Sequence, residues 1–525
     1  MNLLKATIAI YAVLSSMFSI AQEGNLDSTF DFDGKVITTL GAGASAILNA
    51  VLNQPDNKII VATNSVGPGA ASNGFLLLRY KENGSLDSTF STDGIAQGNF
   101  DGNFQSTPMS IALQKNNKIM VAGYIYNSLS DKVIGLARFN TNGTFDNSFS
   151  GDGKLLTYVN KPGNNNDDVA KAIVMTSNGK IWLTGESDVN FGNDIVLIRY
   201  NSNGSIDTST DSNAGIIRFE NGYRSNGIAL QQDEKVLICG SSTANGNPSF
   251  LVLRRNSNGS IDSSFNNIGH VIFGFGSGYC EANSIHVQPW DGKILVAGYF
   301  SFDPQMFAIA RLNIDGTLDN TFDNDGKKTL IVGNKCNATS INTQSDGKIL
   351  ISGTTGSGNT DFTLVRLNQD GSIDNKFGIN GIIITDFSNR ANQCKGMALQ
   401  NDGNKIVLAG NLNYDAKDDI AIARYIIGQT VGVIDSKTTQ SSILIYPNPV
   451  ATEFILKYSI SNNTNLSVRL YDLKGVFIET LFPKQLQIKG NYQQTFRLST
   501  KVIPGKYFLL FETPLSKTTV MFMKK

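Results

Sequence analysis

His270 and His286 are the only histidines in the 525 residues. They stand 16 residues apart, with no array of Cys, Asp or Glu at metal-ligand spacing around them. The sequence contains no G-x-S-x-G elbow, no G-x-x-x-x-G-K-[ST] phosphate loop and no H-E-x-x-H pair. Carboxylates are the remaining chemical resource, since two acids can serve glycoside hydrolysis from distant points of a chain. Glu186, Glu234 and Glu281 draw attention because each departs from a repeated pattern, and Glu281 lies beside Cys280 and near His286. D-x-D-G at Asp31–Gly34 and Asp323–Gly326 resembles the start of a calcium loop. Position 12 is Ala42 in one and Asn334 in the other, so a turn is the better reading and weak calcium binding the alternative. No catalytic residue, cofactor-binding residue or metal ligand is predicted.

The elements that would position any such chemistry are written by repetition. A phrase close to G-x-[LIF]-D recurs at Gly24, Gly84, Gly143, Gly204, Gly259, Gly316 and Gly371, at intervals of 55–61 residues. Its aspartate is present in every copy: Asp27, Asp87, Asp146, Asp207, Asp262, Asp319 and Asp374. An arginine in an apolar run stands five residues before the Gly at Arg79, Arg138, Arg199, Arg254, Arg311 and Arg366, and Arg424 closes the series. A cassette near Q-x-D-G-K-I-[LV]-[VI]-[AS]-G begins at Gln54, Gln114, Gln231, Gln288, Gln344 and Gln400, with Thr176 filling the remaining slot. A lone guanidinium among apolar residues is costly, so each Arg is expected to pair with the Asp of its own repeat, as Arg79 with Asp87. A catalytic or metal-binding ring of aspartates is the sharper alternative; loop capping is the reading preferred here. Phe30, Phe90, Phe149, Phe265, Phe322 and Phe377 read as plugs between repeats, and Thr210 breaks that pattern.

Runs of five to seven apolar or β-branched residues between DG and NG turns give about four strands per repeat. Such a unit cannot cover both faces of its sheet and must stack on neighbours, as a β-propeller or an open solenoid. The ends of the repeat region favour the ring. It begins with a phrase lacking the Arg strand and ends with an Arg strand lacking the phrase, and together they make one complete repeat. The expected fold is all-β: a seven-bladed β-propeller over residues 23–427, a polar linker over 428–442, and a small β-sandwich of about seven strands over 443–525. Loops 61–74, 123–132, 185–194, 239–249 and 411–418 differ between repeats and follow matching strands, so they gather on one face. Aromatics exposed on that face, such as Trp182, Trp290, Tyr124 or Tyr299, would favour binding over catalysis.

Residues 1–21 read as a cleaved secretory leader rather than an anchor, with Lys5, a short apolar core and small residues Ser19 and Ala21 before a cut near Gln22. Lys+Arg and Asp+Glu balance at 44 each, but residues 431–525 hold 12 bases against 5 acids, leaving the body net −7. That body disfavours nucleic acid. Cys239, Cys280, Cys336 and Cys394 do not form a disulfide scaffold, with a single disulfide as the alternative to buried thiols; the last three are expected at similar places in successive repeats.

Residues 443–525 resemble the type A C-terminal sorting domain of the type IX secretion system of Bacteroidota. The resemblance rests on Tyr446, Pro447, Asn448, Pro449, the run Val468–Gly475, Pro504, Gly505, Tyr507 and the closing VMFMKK with Lys524 and Lys525. It implies Sec export to the periplasm and passage across the outer membrane. It also implies partnership with the type IX translocon and an outer-membrane shuttle protein, and removal of the domain or attachment to surface lipopolysaccharide. Residues 23–427 resemble delta-60 repeats, a family that implies a propeller without a common activity. The functional expectation is a binding module for glycan or protein, with no cofactor. A polysaccharide-active propeller enzyme and a purely structural surface protein are the alternatives.

Overall fold

The computed structural model describes residues 23–525 apart from 42–43, 67–73, 101–104, 160–166, 190–191, 211–214, 220–221, 245, 357, 402, 415–416, 429–443, 447–449, 461–462, 473–475, 501 and 514–516. The leader, nearly all of the linker, and Pro447, Asn448, Pro449 and Gly475 lie outside the described residues. Two compact units divide at Thr430/Val431. Every regular element among the described residues is a strand.

The first unit holds seven antiparallel four-stranded sheets. Blade 1 consists of Ser45–Asn53, Ile59–Val66, Phe75–Tyr80 and Ile95–Gly98, in that order from the innermost strand outward. Blades 2 to 6 repeat this plan and begin at Ser106, Asp168, Tyr223, Tyr279 and Cys336. Blade 7 takes three strands from the end of the region, Asn392–Leu399, Lys405–Tyr414 and Lys417–Ile426, and its outermost strand, Lys35–Thr38, from the beginning. Lys35 stands opposite Ala423 and Thr38 opposite Ile420. The inner strands of blades 7 and 1 touch, as do those of every other neighbouring pair, so the ring is closed. Closure leaves no first or last blade with an unpaired flank, which removes the solenoid alternative.

The core lies between blades rather than within them. Leu350, Phe362 and Phe377 of blade 6 pack with Ile406, Leu408 and Ala421 of blade 7 in one buried cluster, and Val407 and Ile422 pack with Leu48, Val61 and Leu76 of blade 1 in another. Alternate residues along a strand face opposite neighbours, which is why the second and third strands are apolar on both faces.

Each inner strand carries a β-bulge at the same place. The extra residue is Asn49, Met109, Lys171, Asn226, Asn283, Thr339 or Lys395 in blades 1 to 7. Bulges redirect side chains and increase twist. Asn49 Nδ2 donates to Pro108 O at 2.9 Å, and Asn283 Nδ2 to Ala338 O at 2.8 Å, so the bulge also ties neighbouring inner strands.

The second unit pairs Leu444–Tyr446, Glu453–Ile460 and Gly490–Arg497 in one sheet and Phe477–Gln487, Thr464–Asp472, Gly505–Glu512 and Lys517–Lys524 in the other. Phe454, Leu456, Leu470, Leu509 and Phe522 fill the space between. The stretch rich in Lys and Gln is the edge strand Phe477–Gln487. Three register shifts and a mostly exposed surface hide its alternation. Lys525 N donates to Val450 O at 2.8 Å and Val450 N to Met523 O at 2.6 Å, so the Lys524–Lys525 end is pinned rather than loose.

Candidate functional site

Antiparallel order gives the propeller two unlike ends. The turns joining the first to second and third to fourth strands share one end, and those joining second to third strands share the other with the links between blades. The repeated phrase and the Q-x-D-G-K cassette lie at the first, the phrase end; the variable loops lie at the second, the loop end.

At the phrase end each arginine is fully committed. Its Nε lies 2.5–2.8 Å from Oδ2 of the aspartate eight residues on, and in blade 7 Arg424 reaches Asp27 at 2.8 Å. In blades 3 and 4 the Nε–H of Arg199 and Arg254 points off that line, leaving an ion pair without an aligned hydrogen bond. The guanidinium lies over an aromatic ring at 4.2–5.0 Å, and its Nη1 donates to a carbonyl of the next blade, as Arg79 does to Thr141 O at 2.6 Å. The aspartate caps its own loop: Thr89 N and Oγ1 donate to Asp87 Oδ1 at 3.1 and 2.7 Å. Sequence reasoning missed a third partner, the cassette lysine. Lys118 reaches Asp146 at 2.7 Å, Lys348 reaches Asp374 at 2.7 Å, and Lys405 reaches Asp27 at 3.0 Å. Its signal was that every cassette carries a lysine, four or five residues after its first position. Burial pushes the Asp87 carboxyl up, but hydrogen bonds from Thr89 and Lys58 and the Arg79 charge together hold it well below the usual carboxylate range.

Irregular blades are repaired locally. Where Thr210 replaces the plug, Trp182 lies under Arg199 at 5.0 Å and is buried, so it is not an exposed aromatic of the loop face. Where Lys376 replaces the usual hydroxyl, Glu23 accepts from Arg366 Nη2. The phrase glycines all have positive φ, 87° to 97°, and in most copies a Cβ there would strike the plug of the preceding blade, as at Gly143 against Phe90. The D-x-D-G stretches are turns, with Asp33 and Asp325 accepting from Lys35 N and Lys327 N at 2.8 and 2.9 Å.

The three unusual glutamates separate. Glu234 is at the phrase end, where it accepts from Ser177 N of blade 3 at 2.8 Å. Glu281 accepts from Asn226 Nδ2 at 2.8 Å and from Tyr299 OH at 3.1 Å. His286 contacts Thr343 Oγ1 at 2.9 Å and is not joined to Glu281; burial lowers its pKa to about 4. All four cysteines are buried and free, and Cys394 lies two register positions beyond Cys280 and Cys336 rather than in the same place.

The remaining glutamate, Glu186, belongs to a cleft of about 420 Å³ at the loop end between blades 2 and 3, with Tyr124, Lys132, Asp167, Lys171 and Asp188. Lys132 Nζ reaches Asp167 Oδ2 at 2.6 Å while its own N–H donates to Oδ1 at 2.9 Å. The same ammonium lies 5.6 Å from the Tyr124 ring, which meets Tyr126 edge-on at 5.7 Å. Lys171, the bulge residue, reaches Glu186 at 3.5 Å. Burial, then the charge of Asp167, raises the Asp188 carboxyl above its ordinary value. A larger cavity of about 600 Å³ lies between the same blades at the phrase end. Its lining is turn residues together with Arg138, whose guanidinium is already spent on Asp146, so the smaller cleft is the site with chemistry to offer.

Seven four-stranded blades closed into a ring define a seven-bladed β-propeller, and the second unit is a β-sandwich. The chain carries repeats of the DUF5122 β-propeller domain of unknown function, matched at 54–90, 114–149, 176–209, 231–265, 291–322 and 344–377, and a secretion system C-terminal sorting domain, matched at 444–525. It is thus a secreted or cell-surface propeller exported by Sec and then across the outer membrane through the type IX system, with removal of the sorting domain. No curated protein matches it. Similar solved structures include a protein of unknown function from Dyadobacter fermentans, 10% identical, with a TM-score of 0.43 over 75% of this chain and 98% of that one. An ulvan lyase is 10% identical, with a TM-score of 0.44 over 75% and 96%. A mutant Aleuria aurantia lectin in complex with α-methyl-L-fucoside is 11% identical, with a TM-score of 0.36 over 67% and 96%.

Proposed function

We propose that the propeller is a recognition module that binds glycan at the loop end, in the cleft between blades 2 and 3. The observation that supports this most is the contrast between ends. Residues repeated in all seven blades are consumed in construction, whereas Tyr124, Lys132, Lys171, Glu186 and Asp188 are particular to two blades and line one open cleft. Carboxylates and ammonium groups accept and donate to hydroxyls, and a half-exposed tyrosine offers an apolar face with a polar edge. A glycan array probed with the mature protein should show a reproducible ligand class, lost in Tyr124→Ala and Lys132→Ala at unchanged melting temperature. Binding that survives both substitutions, or none at all, overturns the reading.

The raised carboxyl of Asp188 beside Asp167 supports a second reading, polysaccharide cleavage with Asp188 as proton donor. Product release from a polysaccharide panel, abolished by Asp188→Asn while binding persists, would select it.

A further inference from the structure

A second cavity at the loop end, about 320 Å³, lies between blades 6 and 7 and has a different chemistry. Lys335, Lys395, Asn337, Gln393 and Thr360 line it, and no carboxylate does. Lys395 is the bulge residue of blade 7, so the bulge that ties blades together elsewhere delivers an ammonium group here. The lysine is half-buried, and among the described residues neither it nor Lys335 has a carboxylate within ion-pair distance. Asp418 is the acid that acts on Lys395 from further off, and its carboxylate already receives Ser45 Oγ and Asn413 Nδ2. By contrast the corresponding bulge lysine of blade 3, Lys171, has Glu186 as partner.

Asn337 Oδ1 is occupied by Asn283 Nδ2 at 2.7 Å, which leaves its NH2 group as the donor available to the cavity. Thr360 Oγ1 is buried and without a hydrogen-bond partner. A half-buried ammonium group, Lys395, an exposed one, Lys335, a free amide donor and an unsatisfied hydroxyl line one space, and a charge partly withdrawn from water without a counter-charge is costly. Burial holds the Lys395 pKa below its usual value, the mark of such a charge.

We infer that the cavity between blades 6 and 7 is an oxyanion site, taking a carboxylate, sulfate or phosphate group on Lys395, Lys335 and Asn337. The site is separate from the cleft between blades 2 and 3 and does not depend on what that cleft binds. Charge-assisted hydrogen bonds from two lysines to one oxyanion are about twice as strong as neutral ones, and they would supply the missing counter-charge.

Calorimetric titration of the mature protein with glucuronate, sulfate and phosphate, against chloride at equal ionic strength, tests the site. At least one oxyanion should bind, with affinity reduced tenfold or more in Lys395→Met. Glucuronate ahead of the inorganic ions assigns the group to an acidic saccharide, and inorganic ions alone assign it to a free oxyanion; both support the site. Asn337→Asp is the second variant, retaining the acceptor for Asn283 while placing a negative charge in the cavity, and it should abolish binding. No oxyanion binding beyond the chloride control, or binding unchanged in both variants, overturns the proposal. Because the probes are simple anions, failure here leaves the glycan-array result untouched, and the reverse.

Discussion

Seven arginines buried among apolar strands are tolerable only because each is paired, stacked and hydrogen-bonded at once. Removing one carboxylate leaves a buried cation uncompensated: Asp87→Asn strands Arg79 and leaves Lys58 only its exposed partner Asp56. Breaking a buried pair from one side costs about 3–5 kcal/mol, whereas an exposed partner contributes about 1 kcal/mol or less. Denaturant unfolding should therefore show Asp87→Asn losing several times more stability than Lys58→Ala. The repaired blade gives a second test. Trp182→Leu should destabilise by about 2–4 kcal/mol, as large-to-small core changes do. Adding Thr210→Phe should recover much of that loss, because the plug returns to its usual position beneath Arg199. Repetition made the Arg–Asp pairs legible in the sequence. Trp182 was not legible, because its neighbour in space, Thr210, is 28 residues away and its burial depends on a plug that is missing.

At the scale of elements, pH acts through two groups of side chains with different windows. The phrase aspartates have folded pKa values below their ordinary 3.8, at about 2 for Asp262, where burial raises it and Ser264, Lys235 and Arg254 lower it further. The unfolded chain takes up protons first, so their stabilisation is complete above pH 4 and is lost as pH falls toward 2. His286, held down to about 4 by burial, has the same sign at higher pH: stability falls between pH 6.5 and 4, where the unfolded imidazole is protonated and the folded one is not. Melting temperature against pH should show both stages, and His286→Gln should remove only the first. Strands and blade number were readable from periodic turns and complementary ends. The inner-strand bulges were not, since Asn49, Met109, Lys171, Asn226, Asn283, Thr339 and Lys395 share no residue type, only a place in the pairing register.

The whole molecule separates address from purpose. The sandwich has its own core and sheet pairing and shares no strand with the propeller. Fusing the last 95 residues to an exported reporter should carry it across the outer membrane of a type IX-competent bacterium. A reporter retained in the periplasm, where a known type A domain exports it, would refute that independence. The candidate site was legible only as a face. Variable loops pointed to the loop end, but which of them form a cleft depends on blade adjacency, and Asp167 and Lys132 meet across 35 residues of chain. Tyr124 and Tyr299 are half-buried on that end, but only Tyr124 lines the cleft; Trp182 is buried, and Trp290 lies on a first-to-second-strand turn at the phrase end.

The strand Lys35–Thr38 carries a consequence for timing. A chain exported from its N-terminus presents this strand first, yet its partner, Lys417–Ile426, arrives nearly 400 residues later. Until then the segment waits without its ladder, and Asp27 waits for Arg424. Glu23, just ahead of this strand, docks on Arg366 of blade 6, so the start of the propeller is held by the blade that precedes the closing one. A chain that stops before Lys417 can never close, however well its early blades fold. Deleting residues 23–40 should imitate that state, lowering the melting temperature by many degrees and exposing the edge of Lys417–Ile426 to proteolysis. Completion of the ring therefore waits for Lys417–Ile426, the last propeller strand to emerge.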